Sequence, residues 1–304
     1  MTRALLISNP FAARAHSRAV TVIRDILLRG GWTVDVHPPA GPGDARQVAE
    51  DARGGGFDVL VSHGGDGTAM QVAAGIVGTG ITLGLLPGGT GNLLAGNLRL
   101  PRTAASAARA LLTARRLQID VGVIERNDGP HYFAVAAGTG FDAQLMADTG
   151  LQAKRRWKFW AYLARAMTSL STVRSVPHRV VVDGAVHEIP AAMLVLLNCG
   201  ELAPRFMNLR RGLVPDDGWL DIVAVDADGA WQGLSAVVEL LLGGASKGRR
   251  VWWARGRNVR VEVPDSMPRP VQLDGEVFGT TPFEARLLAG GLPVLVGPDF
   301  KAHR

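Results

Sequence analysis

The sequence predicts an N-terminal doubly wound α/β domain followed by a C-terminal antiparallel β-rich domain. Three observations predict them. Over the first 115 residues short apolar strands alternate with helical patterns, as in a parallel sheet with helical crossovers. After Gln118, seven strand patterns follow without regular crossovers. Many of the 38 glycines fall between apolar runs, where tight turns and close backbone approaches need them.

Residues 4–8 (ALLIS) read as a buried strand, Asn9-Pro10 as a turn, and 17–29 as a helix that Gly30-Gly31 ends. A second strand covers 32–37. After a loop containing Pro38, Pro39, Gly41, Pro42 and Gly43, Asp44 caps a helix running to about Arg53. The third strand, 57–62, leads through HGGDGT (63–68) into a helix from Thr68 to Ile76, and the fourth, 82–86, through PGGTGN (87–92) into a helix from Leu93. The later strands are 119–125, 131–137, 178–182, 193–198, 221–225, 259–263 and 270–273, with helical patterns at 143–171 and 229–247. A boundary at 118/119 gives domains 1–118 and 119–304, the last strand (292–296) rejoining either one. There is no internal repeat and no low-complexity linker.

The formal charge of +6 favours anionic partners: a nucleotide, a nucleic acid or an anionic membrane. The single cysteine, Cys199, excludes an intramolecular disulfide framework and a multi-cysteine zinc site; it reads as a small buried hydrophobe and makes a reducing cytoplasm the natural compartment. The N-terminus lacks the apolar core of a signal peptide. The longest apolar stretches, 191–197 and 236–242, fall short of the roughly 20 residues a spanning helix needs. Membrane contact would therefore be peripheral.

The loops at 9–14, 63–68 and 87–92 all follow strands, so they sit at the carboxyl edge of the sheet, where open α/β folds bind ligands. Gly64, Gly65 and Gly67 let backbone approach a polyphosphate, and the amides opening the next helix favour negative charge. Asp66 among them would repel bare phosphate and makes sense beside Mg²⁺, which takes one or two carboxylates plus phosphates and waters. Thr68 and Thr90 offer hydroxyls to phosphate oxygens. Neither GxxxxGK[ST] nor a GxGxxG after the first strand is present, and each loop alone also reads as a plain turn.

Together the segments are specific. GGDGT (64–68), LPGGTGNLLA (86–95), GFDA (140–143), PDDGWLD (215–221) and LDGE (273–276) occur in the order and spacing of the diacylglycerol kinase catalytic superfamily, which the chain resembles over nearly its whole length. The resemblance implies an ATP-binding α/β domain, a lipid-binding β-sandwich and a cleft between them for phosphoryl transfer from ATP to a lipid hydroxyl. It makes Asn9, Gly64, Gly65, Asp66, Gly67, Thr68, Gly89, Thr90 and Asn92 the nucleotide-binding residues and Glu276 the general base. It gives a structural Mg²⁺ to Asp217 with the carbonyls of Val214 and Trp219, and places Asp120 with Asp66 around the catalytic metal. An ion at Asp217 would hold its loop in register with the LDGE strand and so affect catalysis without touching ATP. Read alone, DGE is also an exposed hairpin turn.

The chain departs from the family pattern in three places, the first bearing on the lipid more than on the reaction. Leu93 and Leu94 stand where bacterial members have Asp-Phe, so an acid of the metal network is missing and the form is closer to sphingosine kinase-like sequences. Ala13 replaces a glycine, giving Arg14 or Arg18 a share in phosphate binding, and Pro38-Pro39 replace a threonine.

In 151–170, Lys154, Arg155, Arg156, Lys158 and Arg165 accompany Trp157, Phe159, Trp160, Tyr162 and Met167, a composition suited to a helix lying in a membrane interface. The same aromatics also suit packing on the sandwich. Lys247, Arg249, Arg250, Trp252, Trp253 and Arg255 form a second, more ambiguous cluster. The expected partners are a lipid at the inner face of a membrane and, as family members often dimerise, a second copy; no nucleic-acid-binding motif is present. An NAD kinase-like enzyme shares the GGDGT loop and is the nearest alternative. A non-catalytic binding protein is the other.

Overall fold

The computed structural model describes residues 1–9, 17–38, 41, 43–140, 174–200, 213–241, 250–264 and 268–302. Among these, residues of Met1–Val121 and Ala289–Arg304 pack as one unit, and those between Gly122 and Leu288 as a second. The chain passes from the first unit to the second within β5 (Arg115–Arg126) and returns within β16 (Phe283–Val296).

In the first unit β1 (Arg3–Ser8), β2 (Thr33–His37), β3 (Val59–Gly64), β4 (Thr82–Pro87) and the end of β16 form a parallel sheet in the order β2-β1-β3-β4-β16. Every residue of β3 and β4 is buried. Strands covered on both faces can be continuous apolar runs, which is why these were legible as strands. Helices α1 (Ser17–Arg29) and α5 (Ala104–Leu111) pack together, as do α2 (Asp44–Asp51) and α3 (Asp66–Ile76). Leu6, Ile7, Ile23, Leu27, Leu60, Ile76, Leu83 and Leu111 fill the core. From β1 the chain moves out to β2 and then returns to β3 on the other side of β1, so the strand order reverses at the carboxyl ends of β1 and β3.

Two local expectations change. Gly43, left-handed at φ 87°, occupies the N-cap of α2, and Asp44 is the first helical residue. The HGGDGT segment is also less of a loop than its glycines suggest. Parallel pairing runs on to Gly64, opposite Pro87, and α3 begins at Asp66, leaving Gly65 alone between them. The final strand pairs Val294 with Leu83 of β4.

The second unit is an antiparallel β-sandwich. One sheet has the order β12 (Val251–Gly256), β11 (Leu220–Val225), β10 (Met193–Leu197), β7 (Ala136–Gly140), β14 (Pro270–Leu273), β15 (Glu276–Thr280). The start of β16 continues through β13 (Asn258–Glu262), β8 (Val176–Val182) and β9 (Ala185–Ala191), while β5 forms a hairpin with β6 (Gly129–Phe133). Phe133, Val180, Leu194, Ile222, Val259, Val271 and Phe283 belong to one core fed by both layers.

The single strand expected at 131–137 is two, β6 and β7, broken at Ala134 and Val135. Strands β9, β12, β15 and the first half of β16 were not expected. The helical pattern at 143–171 lies outside the described residues, and that at 229–247 is described as α6 (Gly229–Leu241). No described helix is long and apolar enough to cross a membrane.

Candidate functional site

The carboxyl edge of the parallel sheet is built by glycines meeting glycines. The carbonyl of Gly64 accepts the N–H groups of Gly88 at 2.8 Å and Gly89 at 3.1 Å, locking the turn after β3 to the turn after β4. A Cβ on Gly89 would fall 2.6 Å from the Cα of Gly65, and one on Gly88 3.2 Å from the Cα of Gly64. Backbone cannot yield there as a flexible side chain can. The two turns cross as bare main chain, the surface a polyphosphate can approach.

Polar side chains fasten this edge. Ser8 Oγ lies 2.9 Å from Nδ1 of His63, both residues buried, and the N–H of Asn9 donates to the carbonyl of His63 at 3.0 Å. Asn9 Nδ2 donates to Thr68 Oγ1 at 2.9 Å, leaving the threonine O–H as the donor for a ligand. Asn92, left-handed at φ 52°, closes its own loop: Oδ1 accepts the Gly89 N–H at 3.0 Å and Nδ2 donates to the Gly89 carbonyl at 2.9 Å. Asn9 and Asn92 therefore position the loops, while Thr90 is exposed. Arg18 is exposed on α1; Ala13 and Arg14 lie outside the described residues.

Asp66 is engaged by the opposite loop. Its Oδ1 accepts the Leu94 N–H at 3.3 Å, at the start of α4 (Leu93–Asn97). Burial pushes its carboxyl above the ordinary aspartate value, against the downward pull of the amides of Leu94, Leu93 and Asn92. This joins α3 to the loop after β4 across 28 residues. Asp120 is buried in β5, its Oδ1 accepting the Gly290 N–H at 2.8 Å. Among the described residues no three His, Cys, Asp or Glu side chains gather as a metal site.

At the amino end of the same strands a cavity of about 510 Å³ opens beside Trp32, Phe57, Thr82 and Leu112. None of the residues expected to bind nucleotide borders it.

In the second unit LDGE is indeed a hairpin turn. Asp274 and Gly275 have φ 47° and 90°, and Leu273 pairs with Glu276 across β14 and β15. It is also an anchor. The Asp274 carboxylate accepts the N–H groups of Ala134 at 2.8 Å, Val135 at 2.9 Å and Ala136 at 2.8 Å. Those bonds occupy the amides where β6 gives way to β7, which is the reason that strand is broken. Gln272 Oε1 accepts the Gly275 N–H at 2.8 Å. The turn is thus fixed on both sides, and it carries Glu276 exposed at the head of β15.

Asp217 lies in the loop before β11. Its Oδ1 accepts the Trp219 N–H at 3.1 Å, and its Oδ2 pairs with Arg255 Nη2 at 3.1 Å. The carboxylate expected to hold a structural ion is held by a guanidinium. In the second basic cluster, Arg250 Nη1 donates to Gln232 Oε1 at 2.6 Å and the Trp252 ring meets that of His187 at 5.1 Å, so these side chains serve the fold. Lys247, Arg249, GFDA beyond Gly140 and the whole 151–170 cluster lie outside the described residues.

Comparison with known proteins identifies the family. Residues 3–124 match the diacylglycerol kinase catalytic domain, and 134–296 match the YegS C-terminal NAD kinase beta sandwich-like domain. The chain is 30% identical over 291 residues to a diacylglycerol kinase of Mycobacterium tuberculosis H37Rv, covering 93% of this chain and 87% of that one. A probable YegS-like lipid kinase of Pseudomonas putida is 30% identical over 282 residues, covering 91% and 90%. An uncharacterized Synechocystis protein is 27% identical over 253 residues, and there the match spans 57% of the relative's length. The crystal structure of a putative diacylglycerol kinase from Bacillus anthracis shares the fold with a TM-score of 0.81 at 23% identity, covering 98% of this chain and 97% of that one. With both of its parts matched by family models and nearly its whole length by relatives 30% identical, the chain belongs to the diacylglycerol kinase and YegS-like lipid kinase superfamily and is an enzyme of the lipid kinase class.

Proposed function

We propose that the chain transfers the γ-phosphoryl group of ATP, taken as its magnesium complex, to a hydroxyl of a lipid of the diacylglycerol or sphingoid type. The crossing of Gly64 and Gly65 with Gly88 and Gly89 carries this reading, because it leaves main chain where phosphates would lie. Thr68 and Thr90 donate to phosphate oxygens, and Asn9, Asn92 and Asp66 keep the two turns in place. The magnesium neutralises phosphate charge; the protein contributes position, which dominates phosphoryl transfer. Glu276 takes the proton of the lipid hydroxyl as its oxygen bonds to the γ-phosphorus and the bond to the β–γ bridging oxygen breaks, releasing ADP. The enzyme works peripherally, on the cytoplasmic face of a membrane.

The test is transfer of labelled γ-phosphate to vesicle-borne lipids. Labelling of one lipid class supports the proposal and names the acceptor. Labelling of NAD instead would move the chain to the NAD kinase-like reading, and ATP binding without transfer would make it a binding protein. The glycine crossing gives a separate expectation. Gly89→Ala drives a methyl group into the Gly65 backbone, an overpacking that costs about 1–3 kcal/mol. If the loops must part to relieve it, ATP binding measured by calorimetry weakens roughly ten- to a hundredfold. Unchanged affinity would mean that the crossing does not shape the phosphate site.

A further inference from the structure

We propose that Arg255 fastens the loop at 213–219 in place of a divalent ion, so that this chain needs no metal there. Asp217 and Asp221 present side chains only 3% exposed, and both reach the same nitrogen, Arg255 Nη2, at 3.1 and 2.8 Å. Arg255 Nε lies 3.2 Å from each oxygen of Asp221. The guanidinium grips one carboxylate as a fork and bridges to the other, the planar geometry in which arginine serves acids better than a point charge does. Strand register sets this up, because Asp221 and Arg255 are directly opposed in the β11–β12 pair.

A second arginine of the same segment completes the clasp. Arg257 Nε donates to the Gly218 carbonyl at 3.1 Å, and its guanidinium carbon lies 4.7 Å from the centre of the Trp219 ring. The family resemblance assigns an ion the Asp217 side chain with neighbouring carbonyls. Here Asp217 Oδ2 is paired with a cation and Oδ1 accepts an amide. A divalent ion bonded to this carboxylate would sit within a few ångströms of the guanidinium and be repelled by it. The two solutions do the same work. Each neutralises converging acids and draws the loop onto the sheet, but only the metal can be removed by a chelator.

The experiment is thermal unfolding of the nucleotide-free protein in EDTA and in millimolar Mg²⁺ or Mn²⁺, with Mn²⁺ binding followed by electron paramagnetic resonance. The parent protein is expected to melt at the same temperature in EDTA and Mg²⁺ and to bind no Mn²⁺ through Asp217. Arg255→Met leaves two buried carboxylates without the cation they share. Its melting temperature in EDTA falls by several degrees, divalent ions restore part of the loss, and the Mn²⁺ signal it gains disappears when Asp217→Asn is added. A parent protein stabilised by Mg²⁺, with the stabilisation abolished by Asp217→Asn, would overturn the proposal. That comparison decides the matter even if Arg255→Met fails to fold.

Discussion

Glu276→Gln is expected to lower the turnover of lipid phosphorylation roughly 10²–10⁴-fold, the usual range for loss of a positioned general base. ATP binding should stay within about twofold, because the change removes an interaction made only as the hydroxyl loses its proton. Glutamine keeps the length and planarity of the side chain at an exposed position, so the β14–β15 hairpin has no reason to move. What is lost is the ability to accept a proton. Glu276→Asp should recover part of the rate, since a shorter carboxylate is still a base, and its shortfall then reports misplacement. Steady-state kinetics with a fixed lipid in vesicles separates turnover from ATP affinity. A turnover within about threefold of the parent would assign the proton to another acceptor, since no general base of ordinary strength contributes so little.

The parallel sheet was legible in the sequence because its strands are buried on both faces and carry unbroken apolar runs, as at 59–61, where every side chain is apolar and buried. The unexpected strands lie where that signal is absent. In β9 and β15 most residues are exposed or half-buried, and β12 sets two tryptophans beside arginine, a texture that also fits a surface helix. The site was legible only in part, for a related reason. Glycines at 64, 65, 88 and 89 announce a main-chain surface, yet nothing local tells that the two pairs cross each other. Asp66 reads as a metal ligand because its neighbours in sequence are glycines, and nothing local tells that it also accepts the amide of Leu94, 28 residues on. Arg255 reads as part of an ambiguous basic-aromatic cluster until the register of β11 and β12 sets it opposite Asp221. In each instance the residue type and chemistry were readable and the partner was not, because tertiary pairing chooses the partner.

Asp274 is the clearest example, and its replacement should have the second large effect. Its sequence context, LDGE, marks it as a turn former, and at φ 47° it has a conformation that aspartate and asparagine adopt more readily than most residues. The side chain does more than turn the chain. By accepting three amides from 134–136 it holds the hairpin that carries Glu276 against the junction of β6 and β7, where the Asp274 N–H also donates to the Ala136 carbonyl at 2.8 Å. Asp274→Ala leaves those amides without their acceptor, at a cost on the order of 3 kcal/mol. For a unit of this size that corresponds to a melting temperature roughly 6–12 °C lower. Turnover should fall with it while ATP affinity holds, since the nucleotide loops belong to the other unit. Asp274→Asn separates the two roles of the residue: it keeps the turn conformation and one acceptor oxygen but loses the charge. If the carboxylate is the anchor, Asp274→Asn loses an intermediate amount of both stability and turnover. If Asp274→Asn matches the parent in both, the turn conformation alone is what position 274 supplies, and Glu276 is placed by the strand pairing of β14 and β15 without help from the amides.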